Sequence, residues 1–374
     1  MRRNSPYSPT TVHRPFDTRI FHKECQTLSR AGYRVSLIAS HPDRETIDGV
    51  EIIPVPHFDH RLARMTRGIW AVYLLARRLG ADLYHFHDPE LLPIGILLKL
   101  TTRARVIYDV HENHPKKIWA REWLPRPLHG LASWGIKALE AIMGALADGI
   151  ITATEHIAVR FPDRKSRIVK NYPLLDMVSP AAKDRRTYQD NYTLIYTGGF
   201  TDYRGIYQII QALEYVKTPR ARLLLLGKTI SQHTAEAAQK LPGFEKVDYS
   251  GLVPYEEMYR CLRSAAVGLV CNQPIHDYDL AQPNKLFEYM SAGLPVIASN
   301  FELWKKIIEG DECGLTVDPT APQQIAEAID YLLDHPERRR AMGENARKAI
   351  QEKYNWEHES VKLFNLYQEV LRQC

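Results

Sequence analysis

Two cations stand at the starts of helices, where the helix dipole disfavours them. In residues 283–299, PNKLFEYMSAGLPVIAS, Lys285 falls in the first turn of a short helical pattern and Glu288 one turn later. In residues 196–210, YTGGFTDYRGIYQII, Arg204 opens a helix that follows a Gly198-Gly199 turn. A helix N-terminus offers backbone N–H groups to an anion. One anion shared by Lys285 and Arg204 offsets the cost of both, and Glu288 is then placed to accept hydrogen bonds from hydroxyls attached to that anion. Read without a ligand, Lys285 and Glu288 are a surface i,i+3 pair worth about 0.2–0.5 kcal/mol, in the less favourable Lys-first order. The glycines are then a tight strand-to-helix turn. Asn284 reads as the N-cap, Gly293 as the residue past the helix end, and Leu286, Phe287 and Met290 as the buried stripe.

A second group of chemistry-bearing residues sits in the first half. HFHDPE places His85 and His87 on one face of a strand end, with Asp88 next, and YDVHENHP offers Asp109, His111, Glu112 and His114 at another. Histidines and carboxylates so spaced suit a metal, and a metal-dependent hydrolase is one reading. A satisfied core histidine is the plainer reading of His85.

These residues need a scaffold. Apolar β-branched runs at 33–40, 50–56, 81–87, 105–111, 149–154 and 167–172 alternate with helix-length segments, as in βαβ units around a parallel sheet. A polar, proline-marked stretch follows. The rhythm restarts at 192–198, 221–227, 246–251, 266–272, 294–299 and 314–318, and the rest is helical, with segments over about 336–353 and 356–372. Two α/β domains are expected: 1–175, joined by the last helix at 356–374, and 191–355, with a linker over 176–190. Ligands of such folds bind at the carboxyl ends of strands, here the cleft between domains.

The 374 residues carry a net charge of +5, with 45% hydrophobic and 25% charged residues, ordinary for a soluble globular chain. No apolar run is long enough to span a bilayer, and the basic N-terminus lacks the apolar stretch of a secretory signal. Five scattered cysteines without a CxxC pair give neither a disulfide framework nor a zinc site, which suits a reducing, cytoplasmic setting. No nucleic-acid-binding pattern is present. Residues 114–146 mix Lys and Arg with Trp119, Trp123 and Trp134, a combination found at membrane interfaces and also on core helices with a basic edge.

KLFEYMSAGLPVIAS closely resembles the nucleotide-sugar segment of retaining glycosyltransferases of the GT-B fold, family 4. HRPFDTRIFHKECQTLSRAGYRV (13–35), LYHFHDPELLPIGILL (83–98) and YTGGFTDYRGIYQII (196–210) are similar to three further segments of that family, in the same order. The resemblance implies two Rossmann-like domains with a cleft and a C-terminal helix crossing back to the first. It implies transfer of a sugar, a hexose, from a nucleoside diphosphate donor, UDP ahead of GDP, to a saccharide or lipid-linked acceptor, with retention and without an obligatory cofactor or metal. Polysaccharide or glycolipid assembly follows as the setting, at the inner face of a membrane with peripheral contact.

Carried over residue by residue, Glu288 binds the donor ribose, backbone at Asn284, Lys285 and Leu286 holds the diphosphate beside Gly198 and Gly199, and Arg204 and Lys285 neutralise the departing phosphate. His87 contacts the transferred sugar, and backbone at Val253 meets the base. Asp17, Arg19, His111 and Glu112 are the acceptor-side candidates. The chain departs from the pattern at Leu280, where the family has the first Glu of an E-x7-E pair whose second is Glu288; that role is vacant or taken by neighbouring Asp279. It departs again at RRNSPYSPTT, which holds two prolines and no apolar run where the first strand belongs, so an altered or incomplete strand is expected. These departures keep a third reading open, a catalytically idle nucleotide-sugar-binding or scaffold protein.

Overall fold

The computed structural model describes residues 6–9, 15–58, 60–120, 124–178, 192–275 and 278–372. Most of the expected linker, and the side chain of Trp123, lie outside the described residues. The chain divides into two units, Met1–Asn171 with Trp356–Cys374, and Tyr172–Asn355.

The first unit is built on eight strands: β1 (Pro6–Pro9), β2 (Ser36–Ser40), β3 (Glu45–Ile47), β4 (Val50–Val55), β5 (Leu83–Phe86), β6 (Arg105–Val110), β7 (Gly149–Thr152) and β8 (Ser166–Ile168). Their order in the sheet is β3-β4-β2-β1-β5-β6-β7-β8, parallel except for the β3–β4 pair. The first strand is therefore present and central, pairing Tyr7 with Ser36 on one side and Tyr84 on the other. It is short because a proline closes each end. A missing N–H there stops the ladder without interrupting it.

Side chains alternate across a strand. Val106, Tyr108 and Val110 of β6 enter one core with Val72, Tyr73 and Ala76 of the helix Ile69–Leu79, with Leu92, Ile94 and Leu98 of the helix Leu92–Thr101, and with Met143 of the helix His129–Leu146. Ile107 points the other way. On that side it lies beside Gly149, which is in close contact with Leu366 and Val370 of the helix Trp356–Arg372. That helix is pinned by polar bonds as well. The Trp356 indole donates to Thr27 Oγ1 at 2.8 Å, and Glu359 accepts from the backbone N–H of Lys170 at 2.9 Å.

The second unit has six parallel strands: β9 (Thr193–Thr197), β10 (Arg222–Leu226), β11 (Val247–Gly251), β12 (Val267–Val270), β13 (Val296–Ser299) and β14 (Gly314–Val317), in the order β11-β10-β9-β12-β13-β14. β9, β12 and β13, covered on both faces, read as mostly apolar runs, whereas the edge strand β11 is largely exposed. Leu194 and Tyr196 enter one core and Ile195 the other. The helix Asn284–Ser291 joins β12 to β13 and buries Leu286, Phe287, Tyr289 and Met290 in the second core.

Candidate functional site

In the second unit, β9 ends in Thr197 and the chain turns through Gly198, at φ +120°. A side chain at Gly199 would collide with Ile230, and one at Gly205, at φ +70°, would put its Cβ 1.8 Å from the carbonyl oxygen of Cys271. This loop is thus drawn tight against the next layer of backbone. Arg204 donates from Nη1 to the Gly199 carbonyl at 3.3 Å, and the Tyr196 hydroxyl donates to the same oxygen at 3.0 Å.

Lys285 is the anomaly resolved. The helix that carries it starts at Asn284, with Pro283 as its N-cap and no side chain capping it, so Asn284 is its first residue and not its cap. Lys285 does not share a solvated side with Glu288. It is 8% exposed, its Nζ has no hydrogen-bond partner, and it stands 3.7 Å from the centre of the Tyr196 ring. Burial, and then the nearby Arg204 guanidinium, hold its pKa well below the usual lysine value. An ammonium in this position is an unmet demand for negative charge.

Glu288 is half-buried one turn along, and its charge also bears on the buried hydroxyls of Tyr255 and Tyr259. Leu286 lies wholly in the core, so only its backbone could serve, and its N–H already donates to the Pro283 carbonyl at 3.1 Å. Val253 follows β11 and packs partly buried against the second core. Asp279 and Leu280 fall in the turn Tyr278–Leu280, which is tied to the Arg204 loop by a stack of Tyr278 on Tyr203, 4.2 Å between centroids. Tyr196 was not legible as a site residue, because an aromatic in an apolar run reads as core, and Tyr203 and Tyr278 lie among polar residues with nothing in the sequence to pair them.

In the first unit, the two histidine-bearing strand ends meet. His87 is 1% exposed and lies within hydrogen-bond distance of Ser8 Oγ (2.9 Å, from Nε2) and of His111 Nε2 (3.3 Å, from Nδ1), with His111 stacked over it. His85 Nδ1 is 2.8 Å from the hydroxyl of Tyr367, and its Nε2 has no hydrogen-bond partner. Burial, and next the neighbouring His87, push His85 down to about 4, so it is neutral at pH 7. Beneath them Arg19 bridges two carboxylates, with Nε 2.9 Å from Glu24 and Nη2 3.1 Å from Asp109, and its Nη1 donates to the Val169 carbonyl at 3.0 Å. Burial raises the Glu24 pKa, helped by Asp109. For Asp109 burial acts the same way, but Arg19 and His111 override it and hold the carboxyl well below its usual range.

Glu24, His85, His87 and Asp109 offer ligand atoms within 4.8 Å of one another, close enough for a metal. The guanidinium of Arg19 already holds a cation's place between the two carboxylates, which speaks for an ion network over a metal centre. Glu24 was missed from the sequence because, within the segment 13–35, only Asp17 and Arg19 were assigned roles, and its approach to the histidines joins parts of the chain far apart. Of the acceptor-side candidates, Arg19 is enclosed in this network, Asp17 accepts from the backbone N–H groups of Arg19 and Ile20 at the start of that helix, and Glu112 pairs with Lys117. His111 is half-buried.

Two family models match the chain: Glycosyltransferase Family 4 over residues 18–169, and Glycosyl transferases group 1 over residues 180–349. The chain is a GT-B glycosyltransferase of the group 1, family 4 type. This glycosyltransferase is 23% identical to an uncharacterized glycosyltransferase of Methanocaldococcus jannaschii, covering 91% of this chain and 90% of that one. It is 22% identical to the O-antigen chain mannosyltransferase C of Escherichia coli, covering 94% of each. Among solved structures it is similar in fold to sucrose-phosphate synthase from Thermosynechococcus elongatus (TM-score 0.81, 20% identity, 100% of both chains). It is also similar to HepE of Anabaena in complex with UDP-glucose (TM-score 0.73, 13% identity, 97% and 99% of the chains).

Proposed function

We propose that this glycosyltransferase moves a hexose from a nucleoside diphosphate sugar, UDP ahead of GDP, to an acceptor hydroxyl in polysaccharide or glycolipid assembly, with retention of configuration. The observation that carries the reading is Lys285, whose buried Nζ has no hydrogen-bond partner at the start of a helix, with the Arg204 guanidinium beside it. A diphosphate satisfies both cations and the helix N-terminus together. Its leaving oxygen gains charge as the glycosidic bond breaks, and Lys285 and Arg204 are already fixed to receive it.

In this reading residues 191–355 bind the donor and residues 1–175, with the last helix, bind the acceptor. Gly198 and Gly199 let the phosphates approach backbone, with N–H groups at Asn284 and Lys285 as donors. Glu288 accepts from the ribose hydroxyls, and backbone at Val253 meets the base. Neighbouring structures with UDP sugars support the preference for uridine, and a relative named for an O-antigen chain supports the acceptor class. His87 is assigned to the transferred sugar. Since its ring is enclosed, His111 stacked over it is the face it presents. No cofactor is proposed.

The four free cysteines among the described residues favour a reducing compartment, and no described helix is long and apolar enough to cross a membrane. Work at the cytoplasmic face of a membrane fits both. The test is calorimetric titration of UDP, GDP and ADP into the wild type and Glu288→Ala. One nucleotide should bind tightly, and the variant should lose about 1.5–3 kcal/mol of that affinity. Equal affinities in the two proteins would remove Glu288 from the donor site. Nucleotide binding without turnover of any activated sugar would favour the idle-protein reading that Leu280 motivates.

A further inference from the structure

Backbone contacts settle where the turn Asp202–Arg204 lies. Asp202 accepts from Thr234 Oγ1, the Tyr203 carbonyl accepts from the Gln273 N–H at 2.8 Å, and Gly205 is pressed against the Cys271 carbonyl. They do not settle where the Arg204 guanidinium lies, at the end of a long side chain with many rotamers. Its bond from Nη1 to the Gly199 carbonyl, 3.3 Å, is long for a hydrogen bond. Lys285 is close enough to be affected by its charge, and whenever both are charged they repel. A site that meets a diphosphate with both groups needs a further restraint on this one.

The Tyr203 ring supplies a wall. Its centre is 5.7 Å from the guanidinium carbon of Arg204, and the Tyr278 ring stacks on it at 4.2 Å with the planes 8° apart. Tyr278 is itself anchored. The Ala281 N–H donates to the Tyr278 carbonyl at 3.3 Å, and the Ala281 carbonyl accepts from the indole of Trp304 at 2.7 Å. Trp304 is fully buried in the second core. One line of contacts therefore runs from that core through the turn Tyr278–Leu280 and two stacked rings to Arg204. Every link lies in the second unit. The same turn is the one in which Leu280 stands where a Glu is expected.

We propose that Tyr278 is a positioning residue, which through its stack on Tyr203 holds the Arg204 guanidinium ready for the second phosphate of a nucleoside diphosphate. The turn that lacks a carboxylate at 280 thus serves the site by packing. The inference rests on the proposed function for the identity of the anion, and adds to it what keeps Arg204 in place. A stack that only stabilised the fold would weaken every ligand alike when removed. One that positions Arg204 weakens the contact to a single phosphate.

The experiment is calorimetric titration of UDP and UMP, with GDP and GMP in parallel, into the wild type, Tyr278→Ala and Tyr278→Phe. The ligands of a pair differ by one phosphate, so their affinity ratio reads that phosphate and cancels a general loosening of the site. The wild type should favour the diphosphate of one base by roughly tenfold or more. Tyr278→Ala should cut that ratio by roughly fivefold to tenfold, with the monophosphate affinity within about twofold of wild type. Tyr278→Phe keeps the ring and should keep the ratio. In an Arg204→Met background Tyr278→Ala should change the ratio no further, since no guanidinium is left to position. Should Tyr278→Ala fail to fold, Tyr278→Leu fills the place without a ring to stack and carries the same expectation. A wild-type ratio in the variant without the ring overturns the proposal. So does an equal fall in the Arg204→Met background, or a Tyr278→Phe protein as impaired as Tyr278→Ala. A wild type that binds each monophosphate as well as its diphosphate fails the diphosphate reading and this one with it. A wild type that prefers the diphosphate, with a ringless variant that prefers it equally, fails this one alone.

Discussion

The Lys285 ammonium sits 3.7 Å from the centre of the Tyr196 ring, and the Tyr196 hydroxyl donates to the Gly199 carbonyl that also receives Arg204. One aromatic side chain therefore holds Lys285 and Arg204 in a fixed relation. The ring face offers Lys285 partial compensation only.

Lys285→Met keeps the length of the side chain and removes its charge. It should stabilise the ligand-free protein by about 1–3 kcal/mol and abolish diphosphate binding. Thermal melts and nucleotide titration of one preparation check both. In the wild type a bound diphosphate raises the depressed Lys285 pKa. Between the free and bound values, binding should take up a proton, and affinity should fall as pH rises through the bound value. Calorimetry in buffers of different ionisation enthalpy reads that proton, and a zero count would mean that Lys285 does not meet the anion.

His87→Ala and His111→Ala separate the two stacked rings. Since His111 is the more accessible, its loss should lower turnover at least as much as loss of His87, by roughly tenfold or more, with nucleotide affinity little changed in both. Steady-state rates beside nucleotide titration decide it. A silent His111 would leave direct contact to His87 and require its side chain to become exposed.

Asp109→Asn leaves Arg19 with Glu24 alone, a carboxyl that burial already drives towards its neutral form. An unpaired buried guanidinium should cost about 3–5 kcal/mol, read from denaturant unfolding. Arg19→Met in the same background should recover part of that loss. Recovery of none would show that the network is not coupled.

Much of the scaffold could be read beforehand, and the reason is specific. Strands β5, β6, β9 and β12 are covered on both faces, so their residues are mostly apolar, and each expected range contains the observed strand. β1 carried no such signal: Pro6 and Pro9 argue against a strand, and its central place is set by pairing with β2 and β5. β3 is a three-residue edge too short and exposed to register. Lys285, Arg204 and the histidines were legible because polar groups at strand ends and helix starts break a pattern. That Lys285 is buried, and that Glu24 and Tyr367 reach the histidines, depends on contacts between elements far apart in the chain.

His85 is buried, His114 is half-buried with its Nε2 enclosed, and both are pushed to about 4, in each case first by loss of solvent. Their folded pKa values lie below the unfolded value of about 6.5, so the unfolded chain binds more protons between the two. Stability should be fully present above pH 6.5 and fall with pH towards 4, by at most about 3 kcal/mol for each histidine. Melting temperatures across that range should drop more steeply in the wild type than in His114→Asn. Parallel curves would mean that His114 is solvated.

Gly205→Ala tests the loop under Arg204. With φ at +70° and no room beside the Cys271 carbonyl, the substitution should destabilise by about 2–4 kcal/mol and weaken nucleotide binding as Arg204 shifts. Wild-type affinity and stability would show that the loop relaxes freely.

The helix Trp356–Arg372 packs on the first unit, whose other segment ends at Asn171. A ribosome must therefore make roughly 180 residues of the second unit before the first can be completed, roughly ten to forty seconds of synthesis. Through that interval β7 lacks its cover of Leu366 and Val370, and His85 lacks Tyr367. The second unit, contiguous in sequence, has every part it needs while the first still waits. The nascent chain thus matures in the reverse of its reading order, and a chain cut before Trp356 would keep a foldable second unit and a first unit with an open, sticky sheet.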